Sequence, residues 1–239
     1  RSWSETRFLI TVPAYQKGWK TVQSPLVEPA RLGNTTFDVH GPTYQVKCLE
    51  LQLIARVYEG LTVQGSSSWN RSKQTNAPCL ISNVPAAKGN PTPLGQCISQ
   101  VNGIPYTNPY GVLGTTPAFS PALQYNLRAR YDWNAGAYKA FASAGMNYTG
   151  SMRNQPASFP DGNDPAYNPP TTTLLKYTMP SYTTYDAAIG VSKDQWTAQL
   201  TGNNLSNSDA SVHTSSGQFI RSKVPLRPRV ITLQLGYNF

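Results

Sequence analysis

The sequence predicts an all-β protein, an antiparallel β-barrel that crosses a membrane. Three observations predict it. Side chains alternate with a period of two along each extended segment. One of the two faces is apolar and edged with Trp and Tyr, while the other is polar. Connections are short at one end of the segments and run to tens of residues at the other. Lipid offers backbone polar groups no partner, so β-structure inside it closes into a barrel with dyad alternation and aromatic girdles. A soluble sandwich shares the alternation, but its second face meets water and should carry more charge, and it gives no reason for one-sided loops.

Eight strands are expected, over residues 5–20, 40–57, 60–73, 119–134, 137–151, 180–192, 195–205 and 226–239. In the first, Phe8, Ile10, Val12 and Ala14 alternate with Arg7, Leu9, Thr11 and Pro13. Pro13 removes a ladder donor, which marks an irregular or edge strand. A loop, SPLVEPARLGNT, follows. The second strand sets Leu49, Leu51, Leu53, Ala55 and Val57 against Glu50, Gln52, Ile54 and Arg56; after a turn at Tyr58-Glu59-Gly60, the third carries Leu61, Val63, Gly65, Ser67 and Trp69 on one face.

Residues 74–117 read as a long loop, which a compact soluble domain seldom tolerates without a clasp. The next hairpin has the clearest alternation. Leu123, Tyr125, Leu127, Ala129, Tyr131 and Trp133 oppose Gln124, Asn126, Arg128, Arg130 and Asp132. Past Asn134-Ala135-Gly136, the apolar set is Tyr138, Ala140, Ala142, Ala144, Met146 and Tyr148. Residues 152–178 are a second long loop. Tyr185, Ala187, Ile189 and Val191 then turn at Lys193-Asp194 into Trp196, Ala198 and Leu200, and residues 203–225 form a last loop. In the closing strand Ile231, Leu233, Leu235, Tyr237 and Phe239 share a face, with Thr232, Gln234 and Asn238 opposite. Eight strands could close a small barrel, but such barrels have tightly filled interiors. Arg56, Arg128, Arg130 and Lys139 on the polar face suit a wider lumen, so the chain is expected to be part of a larger barrel.

Composition agrees. The chain is 13% charged, about half the usual fraction, and 11% aromatic, too aromatic for disorder. A net charge of +9 suggests a nucleic-acid partner, yet the cations are scattered, grouping only at Arg128/Arg130 and across residues 221–229. Without a basic helix, zinc-finger spacing or RNP-like strand, no nucleic acid is expected. Cys79 and Cys97 flank a Pro-, Gly- and Asn-rich stretch. They are either a disulfide clasp, worth about 3 kcal/mol and implying an oxidising compartment, or unrelated thiols beside Cys48.

No catalytic, metal or cofactor site is expected. His40 and His213 lie in predicted loops without a paired acid or nucleophile, Ser66–Ser68 lie in a strand, and Asp161, Asp164 and Asp209 lack calcium-loop spacing.

Four segments together resemble the barrel of TonB-dependent outer-membrane receptors: YQVKCLELQLIARVYEGLTVQGSSSWNRSK (44–73), SPALQYNLRARYDW (120–133), YDAAIGVSKDQWTAQLTGNNLSNSD (185–209) and RPRVITLQLGYNF (227–239). The family's glycine before the E-L-E-L strand is here Cys48, which fits only where no bulge is needed. N-N-L-S-N at 203–207 matches the motif before the final outer loop, and Phe239 the terminal aromatic read by the barrel assembly machinery.

The resemblance implies that residues 1–239 are the C-terminal portion, about eight strands, of a barrel of about 22 strands. It further implies a plug domain and a TonB box outside this sequence, the outer membrane of a Gram-negative bacterium, and contact with its lipid and lipopolysaccharide. The implied activity is TonB-energised import of an extracellular ligand such as a siderophore or carbohydrate. A passive porin-like or adhesive barrel, or a soluble β-sandwich binding module, are the alternatives. Ligand contacts are expected from the outer loops and lumen, at Tyr106, Tyr110, Phe119, Phe159, Tyr167, Arg128 and Arg130. For each, packing within a loop or pairing with Asp132 or Glu50 is the competing role.

Overall fold

The computed structural model describes residues 8–20, 22–28, 35–76, 100–101, 104–105, 113–154, 177–217 and 220–239. Its strands, in chain order, are β1 (Phe8–Thr11), β2 (Ala14–Trp19), β3 (Gln23–Glu28), β4 (Thr35–His40), β5 (Tyr44–Tyr58), β6 (Leu61–Gln74), β7 (Gln100–Val101), β8 (Ile104–Pro105), β9 (Leu123–Ala135), β10 (Tyr138–Thr149), β11 (Met152–Arg153), β12 (Thr178–Met179), β13 (Tyr182–Lys193), β14 (Trp196–Asn203), β15 (Ser211–Gly217), β16 (Ile220–Pro225) and β17 (Val230–Tyr237).

One antiparallel sheet dominates, in the order β1-β5-β6-β9-β10-β13-β14-β17, with β2 also on β5. The register from Phe8↔Ala55 to Trp19↔Tyr44 continues through Pro13 without a slip, so β1 and β2 act as one strand. Each strand therefore neighbours the next in sequence, a meander. Among the described strands, β1 and β2 pair only with β5, and β17 only with β14, so 226–239 does not meet 5–20 and the sheet is open.

The registers put the two sets of side chains on opposite faces across the whole sheet. One row runs Tyr131↔Ala142↔Ile189↔Leu200↔Leu233, all on one face. That face is exposed: Ile231, Leu233 and Leu235 keep 65–70% of their surface. Buried apolar side chains among the described residues are few (Tyr44, Cys48, Ala55 and Met179), so the sheet encloses no hydrophobic core. An apolar surface this continuous needs lipid or another partner against it. Aromatics edge it at both ends. Tyr131 stacks on Trp133, and Trp196 lies tilted against Tyr237, at the turn end; Tyr125 stacks on Tyr148 at the loop end. Tyr138 and Tyr148 lie about 33 Å apart along β10 at ~3.3 Å per residue. That is about 25 Å of depth at a ~40° tilt, the height of a barrel's apolar band.

The turn end is tight because backbone geometry is specialised there. Gly60 has φ +81°, and a Cβ on it would stand 2.1 Å from the Asp132 carbonyl oxygen; the same closeness lets Asp132 N–H donate to Gly60 O at 2.9 Å. The third turn lies one residue later than expected, at 194–195, because Asp194 rather than Lys193 takes the left-handed conformation, φ 50°.

Three further expectations change. The segment SPLVEPARLGNT, 24–35, was expected as loop but holds most of β3, which pairs with β4; His40 closes that hairpin. Residues 203–225 contain a second hairpin, β15–β16, which includes His213. The strand expected from 119 starts at Leu123, because Phe119 has φ 52° and bonds away from the sheet, its N–H donating to Arg153 O at 2.7 Å. Cys48 pairs in register with both Tyr15 and Asn70, and the bulge of β5 lies instead between Arg56 and Tyr58. Cysteine is accommodated because no bulge is needed at that position. No helix among the described residues is long and apolar enough to cross a membrane; the elements at hand for crossing are strands.

Candidate functional site

The polar face is a hydrogen-bonding wall in three linked parts. Near the loop end is a concavity of about 310 Å³, lined by Glu50, Gln52, Ser66, Ser68, Gln124, Asn126 and Asn147 among others. Every second residue of a strand faces it, so neutral amides and hydroxyls fall in cross-strand rows. Asn126 Nδ2 donates to Ser66 Oγ at 2.7 Å, and Asn147 Nδ2 to Asp186 Oδ2 at 2.9 Å. Tyr15 Oη donates to Glu50 Oε1 at 2.8 Å, and the buried Cys48 thiol donates to Asn70 Oδ1. The same thiol lies 4.0 Å from Glu50 Oε1, so Cys48 joins Glu50, Tyr15 and Asn70 in one small packed cluster.

Toward the turn end a cation is locked in place. Arg130 Nη2 and Nε donate to both carboxylate oxygens of Asp132 at 2.8–3.0 Å. The guanidinium also lies 3.8 Å over the Phe141 ring. That ring in turn lies across Gly190, where a Cβ would come within 2.3 Å of Phe141 Cε1. Arg128, one pleat nearer the loops, lies over Gly145 on the side of Asp186 and has no ion pair among the described residues. Its charge is not taken up by an ion pair there.

The third part is a clasp at Asn204. Its side chain is nearly buried and its φ is 49°. Nδ2 donates to Ser208 O at 3.0 Å and Arg227 O at 2.9 Å, and Oδ1 accepts Ser208 N–H at 3.0 Å. Its own N–H donates to Asp186 Oδ1 at 2.9 Å, and Asn207 Oδ1 accepts Arg229 N–H at 3.1 Å. The N-N-L-S-N segment thereby fixes both ends of the last loop to the wall. Asp186 joins the clasp to Asn147 and the concavity. This role of Asp186 was missed, since only folding brings Asn147, Asp186 and Asn204 together.

Above the wall the loops touch. Phe119 stacks on His213 at 4.6 Å between ring centres, and Arg221 lies 4.3 Å over the Tyr177 ring. Met179 and Thr214, neighbours of these residues on β12 and β15, are almost fully buried. Of the expected ligand residues, Phe119 therefore sits in this loop layer, and Arg128 and Arg130 on the wall, with Arg130 paired to Asp132. Tyr106, Tyr110, Phe159 and Tyr167, like the Cys79–Cys97 pair, lie outside the described residues. Phe239 follows the last strand, fully exposed, its ring edge-on to Tyr237 at 5.1 Å. Among the described residues no group of three metal-ligating side chains occurs. The wall can bind by hydrogen bonds and charge.

A family model described as TonB dependent receptor-like, beta-barrel, matches residues 3–205. No curated protein matches. Solved structures do. The ferric-catecholate import receptor Fiu from K12 E. coli is 16% identical with a TM-score of 0.58, over 99% of this chain and 26% of that one. The ferric preacinetobactin receptor BauA from Acinetobacter baumannii is 16% identical at 0.55, over 98% and 27%. The pyoverdine outer membrane receptor FpvA from Pseudomonas aeruginosa is 13% identical at 0.60, over 98% and 27%. The chain thus spans about a quarter of the length of these structures, and at such identities the likeness is one of fold.

Proposed function

The chain belongs to the TonB-dependent receptor β-barrel family of the Gram-negative outer membrane, and from that premise we propose that it forms the C-terminal eight strand positions of a barrel of about 22. The remaining strands, a plug and a TonB box would be supplied by sequence outside these residues. In this reading the apolar face meets lipid, the long loops face the cell exterior, and the polar wall lines a lumen. The function is transport rather than catalysis: capture of an extracellular ligand by the loop layer and wall, then TonB-energised import past the plug.

The observation that carries the reading is the open meander, with an aromatic-edged apolar face on one side and a hydrogen-bonded polar wall on the other. An open edge in lipid strands its N–H and C=O groups at several kcal/mol each, so further strands are needed at both ends. The receptors it resembles in fold are named for ferric catecholate, ferric preacinetobactin and pyoverdine, which makes a ferric chelate the first ligand class to test. Arg128 suits the negative charge of such a chelate, and the amide-rich wall its carbonyl and hydroxyl groups.

The test is accumulation of iron-labelled chelates by cells expressing the whole receptor, with and without the proton-motive force. Energy-dependent accumulation, lost when the TonB coupling segment is deleted, is expected. Accumulation that survives de-energisation would instead establish the passive, porin-like alternative.

A further inference from the structure

Arg128 and Asp186 face one another on the polar wall with no side chain between them. Arg128 on β9 pairs with Gly145 on β10, and Gly145 with Asp186 on β13, so the two charges share one cross-strand row. They stand about 10 Å apart at ~4.8 Å per strand. The arginine has already entered that gap: a Cβ on Gly145 would lie 3.7 Å from Arg128 Nε and 3.9 Å from Asp186 Cβ. The other register neighbour of Arg128 is Gln64 on β6, and one pleat away on its own strand are Asn126 and Arg130. None of these is an acid, so Asp186 is the carboxylate that the row offers it.

The pair is not closed in this structure. Asp186 serves two neutral donors instead: Oδ2 accepts Asn147 Nδ2 at 2.9 Å, and Oδ1 accepts Asn204 N–H at 2.9 Å. The second bond joins the wall to the nearly buried residue that ties Ser208 and Arg227 together. A carboxylate that turns to a guanidinium gains a charge-assisted bond and gives up the amide N–H it held. That N–H then lies buried without an acceptor, a cost relieved when the clasp opens to water. The carboxylate thus has two arrangements, and the last loop is clasped in one of them.

We propose that Asp186 is a positioning residue for the outer mouth, and that Arg128, reaching across Gly145, competes with Asn204 for its carboxylate and so sets how firmly the last loop is held. Gly145 belongs to the device because a larger side chain there fills the path. What occupies the wall then bears on the loop above. An anion resting on Arg128 withdraws the competitor and tightens the clasp, and by reciprocity a tight clasp leaves Arg128 to the anion. That consequence rests on the receptor reading; the competition itself rests on the wall alone.

Hydrogen exchange at residues 205–229 of the whole receptor in detergent reads the clasp, with β5 and β6 as internal reference. Arg128→Gln, which stands in for a wall whose cation is occupied, should slow exchange there up to about fivefold, the worth of one exposed charge pair. Gly145→Val, which closes the path, should do the same. Asp186→Ala should speed exchange by about tenfold or more, as loss of a hydrogen bond to a charged group does. Asp186→Asn keeps an oxygen for Asn204 N–H, so it should restore most of the order and make exchange indifferent to residue 128.

The double-variant cycle isolates the competition: added to Asp186→Ala, Arg128→Gln should change nothing further. Unchanged or faster exchange in Arg128→Gln alone overturns the proposal. So does an effect of equal size in the Asp186→Ala background, because Arg128 would then reach the loop by another route. Heat-modifiable migration on a gel reports that each variant is folded, and Arg128→Gln carries the test alone should Gly145→Val misfold. Exchange that follows these expectations in a chain that imports nothing leaves the competition standing and removes the receptor reading.

Discussion

Replacing Asn204 with Ala tests the clasp most directly. The change deletes two donor bonds, to Ser208 O and Arg227 O, and the acceptor for Ser208 N–H. Each bond contributes about 1 kcal/mol net. Alanine at φ 49° adds the strain of the left-handed region, about 1 kcal/mol, which asparagine tolerates better. The expected loss is therefore about 4 kcal/mol, felt first as local opening of the loop that carries β15 and β16 rather than as loss of the β14–β17 ladder. Hydrogen exchange on the whole receptor in detergent reads it, as faster exchange at residues 205–229 with β10 and β13 unchanged. Asn204→Gly removes the strain but not the lost bonds, and should recover about 1 kcal/mol. If Asn204→Ala costs under 0.5 kcal/mol, about half of one hydrogen bond, or opens β14 as readily as the loop, the clasp does not hold the loop and the reasoning fails.

Leu233→Arg, in the middle of the apolar face, should cost about 2–4 kcal/mol in denaturant unfolding from lipid, whereas Gln234→Arg on the wall should be near neutral; equal costs would contradict the assignment of faces. Gly190→Ala forces a methyl into the Phe141 ring and should destabilise by about 1–3 kcal/mol, with Phe141→Leu restoring much of it in a double-variant unfolding series. Phe119→Ala removes the ring stack on His213, worth about 1 kcal/mol, and should speed proteolytic nicking of the outer loops several-fold; an unchanged nicking rate would mean that the loops do not brace one another there.

Period and polarity made the barrel strands legible, because along β9, β10 and β17 every second residue declares its face. The short turns were legible for the same reason, since alternation stops at them. The loop hairpins were not: β15 and β16 read SVHTSSG and IRSKVP, mostly polar on both faces, so no apolar period announces a strand. β3 was hidden by Pro25 and by its brevity. On the wall, Arg128 and Arg130 were legible as facing inward, but not that Asp132 and Phe141 immobilise only one of them. The pair is separated by one pleat, and the difference arises from Phe141 and Gly190 on neighbouring strands. N-N-L-S-N was legible as a pattern without its physics, because the carbonyl that Asn204 holds belongs to Arg227, across the whole last loop.

Pro13 has a consequence for how the barrel is put together. Its carbonyl accepts Glu50 N–H at 2.9 Å, so its backbone points toward β5, and the donor it lacks is missing from that seam. The residues that alternate with it, Phe8, Ile10, Val12, Ala14, Gln16 and Gly18, point their N–H and C=O groups the other way, and none of them is proline. Proline usually guards an edge by facing outward from it. Here it faces inward, and the outward side of the strand, from Phe8 to Gly18, keeps every backbone donor and acceptor, an unblocked template for the further strand that the proposed barrel requires.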